Sequence, residues 1–170
     1  MEASARRNAI SEVLAAASAP VSASALAAQF SVSRQIIVGD IALLRAAGAD
    51  ISATPRGYVL SRKEAGMVRT VACRHTLDGT EQELLIMVDN GCTVLDVVVE
   101  HPVYGQLTGQ LQIASRYDVA QFMERLSQEG ATPLSALTSG IHLHTLRCPD
   151  EAAYIRTCAA LREAGFLLED

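Results

Sequence analysis

All four histidines of this 170-residue chain fall beyond residue 70, at His75, His101, His142 and His144. His142 and His144 are one residue apart in a run of β-formers, residues 141–146. Alternate residues of a strand share a face, with Cα atoms ~6.5–7 Å apart, so both imidazoles can reach one metal ion. The plainer reading of a lone His-x-His is an exposed polar strand face. His75 follows an earlier β-rich run, residues 67–73, and Glu83 stands eight residues further on. The two could complete a set of three histidines and one carboxylate, although spacing alone cannot bring them to His142 and His144. Nitrogen donors with one carboxylate suit a divalent transition metal better than calcium or magnesium. With water in its open positions such an ion could activate a nucleophile, so a metal-dependent hydrolase or amidase is a second function class to weigh. No general base beyond the ligand set is evident.

The elements around these residues follow from pattern and punctuation. Thr80-Glu81-Gln82-Glu83 reads as a capping box opening a helix through Leu84, Leu85 and Val88, which stops at Asn90-Gly91. Residues 93–99 and 107–113 read as strands, separated by Glu100-His101-Pro102-Val103-Tyr104-Gly105. Val119, Phe122, Met123 and Leu126 give residues 118–128 one apolar stripe, hence a helix. A last helix is predicted over 149–164, with Pro149 in its first turn. Strands and helices alternate here as in a small α/β sandwich.

Residues 1–62 carry a different grammar. Ile10, Val13 and Leu14 stripe a first helix over 5–17, ended by Pro20. Ser22 or Ser24 can cap a short second helix with Leu26, Ala27 and Phe30 inward. Ser31-Val32-Ser33 is a tight connection, with Ser33 the N-cap of a third helix carrying Ile37, Ile41 and Leu44 at i, i+4, i+7 and stopping at Gly48. Two short helices joined so closely form a helix-turn-helix. The third helix turns Gln35, Gly39, Ala42 and Ala46 outward. In that orientation Arg34 and Gln35 are DNA contacts, Gln35 can read adenine and Ile36 can touch a thymine methyl. Gly39 either lets the helix sit deep in the major groove or is one more small residue in an alanine-rich sequence. Two β-segments then flank Thr54-Pro55-Arg56-Gly57, a wing whose Arg56 is available to a phosphate. Residues 61–65 read as a linker, so the chain is α+β: a winged helix-turn-helix followed by a sandwich domain over 66–170.

Charge supports that division. The net charge of −5 is poor for a nucleic-acid binder, but residues 1–63 hold seven basic and four acidic side chains, a net of +3. Residues 64–170 hold seven basic and fifteen acidic, a net of −8. The halves have opposite electrostatic characters, as expected when one of them faces phosphate. Cys73, Cys92, Cys148 and Cys158 form no CxxC, which points to reduced, mostly buried thiols. With neither a signal-peptide layout nor an apolar run of ~18 residues, the expected compartment is the cytoplasm, with no membrane association.

Several motifs together resemble a known family. His75 with Glu83, Val97-Val98-Val99-Glu100-His101-Pro102-Val103-Tyr104-Gly105, Ser115-Arg116-x-Asp118-Val119 and Ser139-Gly140-Ile141-His142-Leu143-His144-Thr145 are similar to the 3H (three-histidine) domain. With Ser33-Arg34-Gln35…Asp40-Ile41-x-Leu43-Leu44 ahead of it, the whole chain resembles the niacin-responsive repressors of NAD-biosynthesis and niacin-uptake genes. The resemblance implies a homodimer that binds a double-stranded operator when nicotinate is present. It also implies one divalent transition metal ion per chain, nickel or zinc, on His75, Glu83, His142 and His144. Gly39 departs from the family, whose members usually carry a larger side chain there. A nicotinate pocket needs a cation for the carboxylate and an apolar slot for the ring. The candidates are Arg116 as clamp, Tyr104 over the ring and His101 as a donor. Their ordinary alternatives are a surface ion pair, a core tyrosine and a loop histidine. A DNA-binding protein whose second domain only dimerises would leave the histidine pair unexplained.

Overall fold

The computed structural model describes residues 2–61 and 66–169. It separates into two compact units, Met1–Lys63 and Glu64–Asp170, each with its own core. Of the expected linker only Ser61 lies within the described residues.

The first unit runs α1 (Ala3–Ala16), α2 (Ala23–Phe30), α3 (Arg34–Ala46), β1 (Ile51–Thr54) and β2 (Gly57–Leu60). Ser22 accepts the Ala25 N–H at 3.0 Å and Ser33 the Ile36 N–H at 3.3 Å, satisfying donors that a helix start leaves open. Between them Ser31 takes a left-handed conformation and turns the chain. Ile10, Leu14, Leu26, Ile37, Ile41 and Ile51 make the core. The inward face of α3 also holds a carboxylate that apolar spacing alone does not reveal. Buried Asp40 takes a 2.6 Å ion pair from Arg6 and a 3.7 Å one from Arg7, tying α1 to α3. β1 and β2 pair antiparallel, Thr54 opposite Gly57, leaving Pro55 and Arg56 as the turn. Gly57 is needed for a close approach: a Cβ there would meet the Val21 carbonyl at 2.5 Å, where Val21 and Tyr58 exchange backbone hydrogen bonds.

The second unit contains β3 (Met67–Arg74), α4 (Thr80–Asp89), β4 (Thr93–His101), β5 (Gly105–Ile113), α5 (Arg116–Gln128), β6 (Ile141–Cys148) and α6 (Glu151–Glu163). The sheet order is β3-β6-β4-β5, antiparallel throughout. The late strand β6 inserts beside β3, and this register places His142 opposite Cys73 and His144 opposite Val71. His142, His144, Leu146 and Cys148 are buried while their neighbours along β6 are half-exposed or exposed, so one face of the strand is covered. That face and the helices enclose Leu84, Met87, Val94, Ile113, Val119 and Leu161. All four cysteines are free thiols. Among the described residues no helix is long and apolar enough to cross a membrane.

Two expected helix starts are corrected. Thr80 is not an N-cap: it is the first residue of α4, Gly79 precedes it as the cap, and the buried Thr80 hydroxyl has no partner among the described residues. Glu83 cannot close a capping box because its carboxylate points into the domain. A side-chain cap occurs instead at α5, where the N-cap Ser115 accepts the Asp118 N–H at 3.1 Å and Asp118 reaches back to accept the Ala114 N–H at 2.9 Å. Pro149 lies outside α6, whose N-cap is Asp150, accepting from Ala153 at 2.8 Å.

Candidate metal centre

Three elements converge on one carboxylate. Glu83, on the first turn of α4, is 1% exposed. His75 just beyond β3 brings Nε2 to 2.7 Å from Glu83 Oε2. From β6, His142 Nε2 lies 3.0 Å from Oε1 and His144 Nε2 3.2 Å from Oε2. Donor atoms of His75, Glu83 and His142 all lie within 4.8 Å of one another, and His144 reaches the same carboxylate. The rings of His75 and His144 each meet that of His142 edge-on, with centroids 4.9 Å apart.

The opposite ring nitrogens are all held by backbone carbonyls. His75 Nδ1 lies 2.6 Å from the Thr76 oxygen, His142 Nδ1 2.9 Å from that of Gly140, and His144 Nδ1 2.7 Å from that of Asp96. A carbonyl only accepts, so each Nδ1 carries the proton and donates. In its neutral form each imidazole would turn an Nε2 lone pair toward Glu83, which also only accepts. Lone pairs facing a carboxylate in a buried site require a cation between them, a proton or a metal ion. Fixing the tautomer through Nδ1 is also what prepares Nε2 as a metal donor. The residues present fit a divalent transition metal.

The pKa directions follow the same logic. Burial works against charge on Glu83, but the positive charge of His144 and hydrogen bonds from all three histidines outweigh it, holding its carboxyl well below the usual range. Burial likewise lowers the pKa of His75 and His144, and Glu83 more than reverses this, so both are raised.

Two glycines shape the ground around His75. A Cβ on Gly79 would meet its ring at 2.9 Å, and one on Gly140 would meet its carbonyl oxygen at 2.3 Å. The Gly140 oxygen takes both the His142 Nδ1 proton and, at 3.4 Å, the His75 N–H. The Ser-Gly before His142 is thus the joint that brings β3 and β6 to one point.

The 3H domain model matches residues 68–170, and an HTH domain model matches residues 6–59. A probable transcription repressor named NiaR from Thermotoga maritima is 43% identical over 165 residues, covering 97% of this chain and 94% of that one. The transcription repressor NadR of Bacillus subtilis is 44% identical over 155 residues, covering 89% and 86%. The chain belongs to the 3H-domain family of transcription repressors. It is a DNA-binding repressor and not an enzyme, which sets aside the hydrolase reading.

The three residues expected to form a pocket for nicotinate are not brought together within the 3H domain. His101 and Tyr104 sit at the tip of the β4–β5 hairpin, with rings 5.0 Å apart. His101 Nδ1 accepts the N–H groups of Val103 and Tyr104 at 3.1 and 3.3 Å, so the Glu-His-Pro-Val-Tyr-Gly motif builds a turn. Arg116 begins α5, past the other end of β5. The eight steps from Gly105 to Ile113 separate the two places by roughly 27 Å. Arg116 is also engaged: its exposed fork holds Asp89, Nε to Oδ1 at 2.7 Å and Nη2 to Oδ2 at 2.5 Å. Its spacing before a helix could not show that the preceding helix ends beside it with a carboxylate.

In the helix-turn-helix, the N-cap Ser33 and Arg34, Gln35, Ile36 and Gly39 of α3 are all exposed. Arg56 stands half-buried in the wing turn, where its N–H donates to Thr54 Oγ1 at 3.2 Å. Arg45 was missed from sequence: it donates to the Ile51 carbonyl at 2.7 Å and lies over the Tyr58 ring, joining α3 to the wing.

Proposed function

We propose that this protein represses NAD-biosynthesis or niacin-uptake genes, binding its operator as a cytoplasmic homodimer with nicotinate as co-repressor. In this reading residues 1–62 meet DNA through Ser33 at the cap of α3, Arg34, Gln35, Ile36 and Gly39 of α3, and Arg56 of the wing. Residues 66–170 form the sensor, with one nickel or zinc ion on His75, Glu83, His142 and His144. The observation that carries the sensor reading is the set of three imidazoles whose Nδ1 protons are committed to carbonyls while their Nε2 atoms face one buried carboxylate. The names of the relatives support repression; the resemblance of the histidine motifs is what supports nicotinate as the effector. His101, Tyr104 and Arg116 remain candidates for contacting it only where a second copy of the chain brings them to a shared site.

The test joins metal analysis to DNA binding. Protein purified without an affinity tag should carry about one nickel or zinc per chain, lost in the His142→Ala, His144→Ala double variant. A site built around a cation rejects an uncharged analogue of the same shape. The metal-loaded protein should therefore shift its operator more strongly with nicotinate than with nicotinamide at equal concentration. Equal responses to the two compounds, or none to either, would sink the nicotinate assignment. Metal that survives the double variant would sink the site.

A further inference from the structure

The outward face of α3 can form few hydrogen bonds. Ile36, Val38 and Leu43 are 42%, 38% and 55% exposed, large apolar side chains on a short helix. Past Arg34 and Gln35, the remaining polar side chains of α3 are engaged within the unit: Asp40 by Arg6, and Arg45 by the Ile51 carbonyl. Ile36 and Leu43 are seven residues apart, so they share one flank about 10.5 Å long, with Gly39 between them. A Cβ on Gly39 would meet nothing within 4 Å. Packing within the chain therefore does not call for glycine, although glycine weakens a helix relative to alanine. Among the base edges of the major groove, the apolar group is the C5 methyl of thymine.

Taking α3 as the helix that reads the operator, we infer that it recognises thymine through its methyl group. Ile36 is the specificity-determining residue, Leu43 extends the same apolar flank, and Gly39 lets the helix backbone approach the bases. Hydrogen-bond readout is confined to Arg34 and Gln35 at the start of the helix. The half-site thus holds thymines facing the Ile36 flank, whatever bases the first turn selects.

Full-length, metal-loaded protein, with and without nicotinate, would be used to select duplexes from a random-sequence pool. Each thymine of the selected site is then replaced singly by deoxyuridine, which removes only the methyl. Loss of one buried methyl corresponds to about three- to fivefold weaker binding. That loss is expected at one or two thymines per half-site, and it should vanish in Ile36→Ala. Gly39→Ala should melt no lower than the parent and yet bind the selected duplex more weakly, the opposite of a structural defect. A selected site without thymine overturns the inference, as do deoxyuridine substitutions that are silent everywhere or equally costly in Ile36→Ala. If Ile36→Ala fails to fold, the deoxyuridine scan on the parent and Gly39→Ala still decide. Enrichment of no duplex in either arm overturns the reading role of α3 itself, a failure distinct from the loss of methyl recognition alone.

Discussion

Metal binding by the 3H domain should be strongly pH-dependent, and the structure sets how strongly. Each histidine commits Nδ1 to a carbonyl, so any proton that an ion displaces sits on Nε2, beside Glu83. His75 and His144 have raised pKa values. Below those values both hold that proton, and binding must release up to two. Affinity then falls about tenfold per pH unit for each proton displaced, or about 100-fold per unit for both, and levels off above the raised values. The stability of the metal-free domain runs the other way. The two histidines contribute stability that is fully present below their unfolded value of ~6.5 and is lost as pH rises through their folded values. Glu83, held low, contributes above its unfolded value of ~4.3 and loses that contribution as pH falls through its folded value. Zinc titration against a chromophoric chelator between pH 5.5 and 8.5 measures the slope. Calorimetry in two buffers of different ionisation enthalpy counts the protons. Glu83→Gln removes the charge that raises both imidazoles, so its pH dependence should move toward ~6.5 and its affinity drop by more than about 100-fold. A flat affinity from pH 5.5 to 8.5, with less than one proton released at pH 6, would refute the account of how the three rings meet Glu83.

The two units have separate cores, so fully buried Ile41 and Leu146 should report on different transitions. Ile41→Ala and Leu146→Ala should each cost about 2–5 kcal/mol, and calorimetric unfolding should show each lowering the melting of its own unit while leaving the other in place. Arg56→Ala should weaken operator and unrelated duplexes alike and reduce the salt slope of binding by roughly one unit, as for one lost phosphate contact; an unchanged slope would remove the wing from the interface.

Local signals in the sequence were sufficient where the structure is local. Ser33 reads as a cap because an N-cap acts within three residues, and the wing reads from Pro55 and Gly57 flanked by β-formers. His142 and His144 read as one face of a strand because that face repeats every two residues. The convergence on Glu83 was not legible, because it depends on β6 inserting beside β3, a pairing across some 70 residues that no local pattern encodes. Thr80 through Glu83 misled for a related reason: a capping box and a buried carboxylate on a first helical turn share one spelling, and only the tertiary fold separates them. Asp40 and Arg45 were hidden because apolar periodicity says nothing of a charge whose partner comes from another element. Arg116 was read by its chemistry, while Asp89, brought to it by the packing of α4 against α5, decides what it holds.

The donors around Glu83 come from parts of the chain far apart in sequence, Glu83 and His142 being 59 positions apart. An ion bound there would act as a cross-link as well as a sensor. It would close a long loop and pin the end of β3, the start of α4 and the middle of the sheet to one point. The pinned site exists only in the folded domain, so the free energy of binding the ion adds to the free energy of folding. Because the ion would stabilise only the folded arrangement, its availability would set how often these elements come apart. Scarcity of metal would then act on the lifetime of the protein in the cell as well as on its grip on DNA.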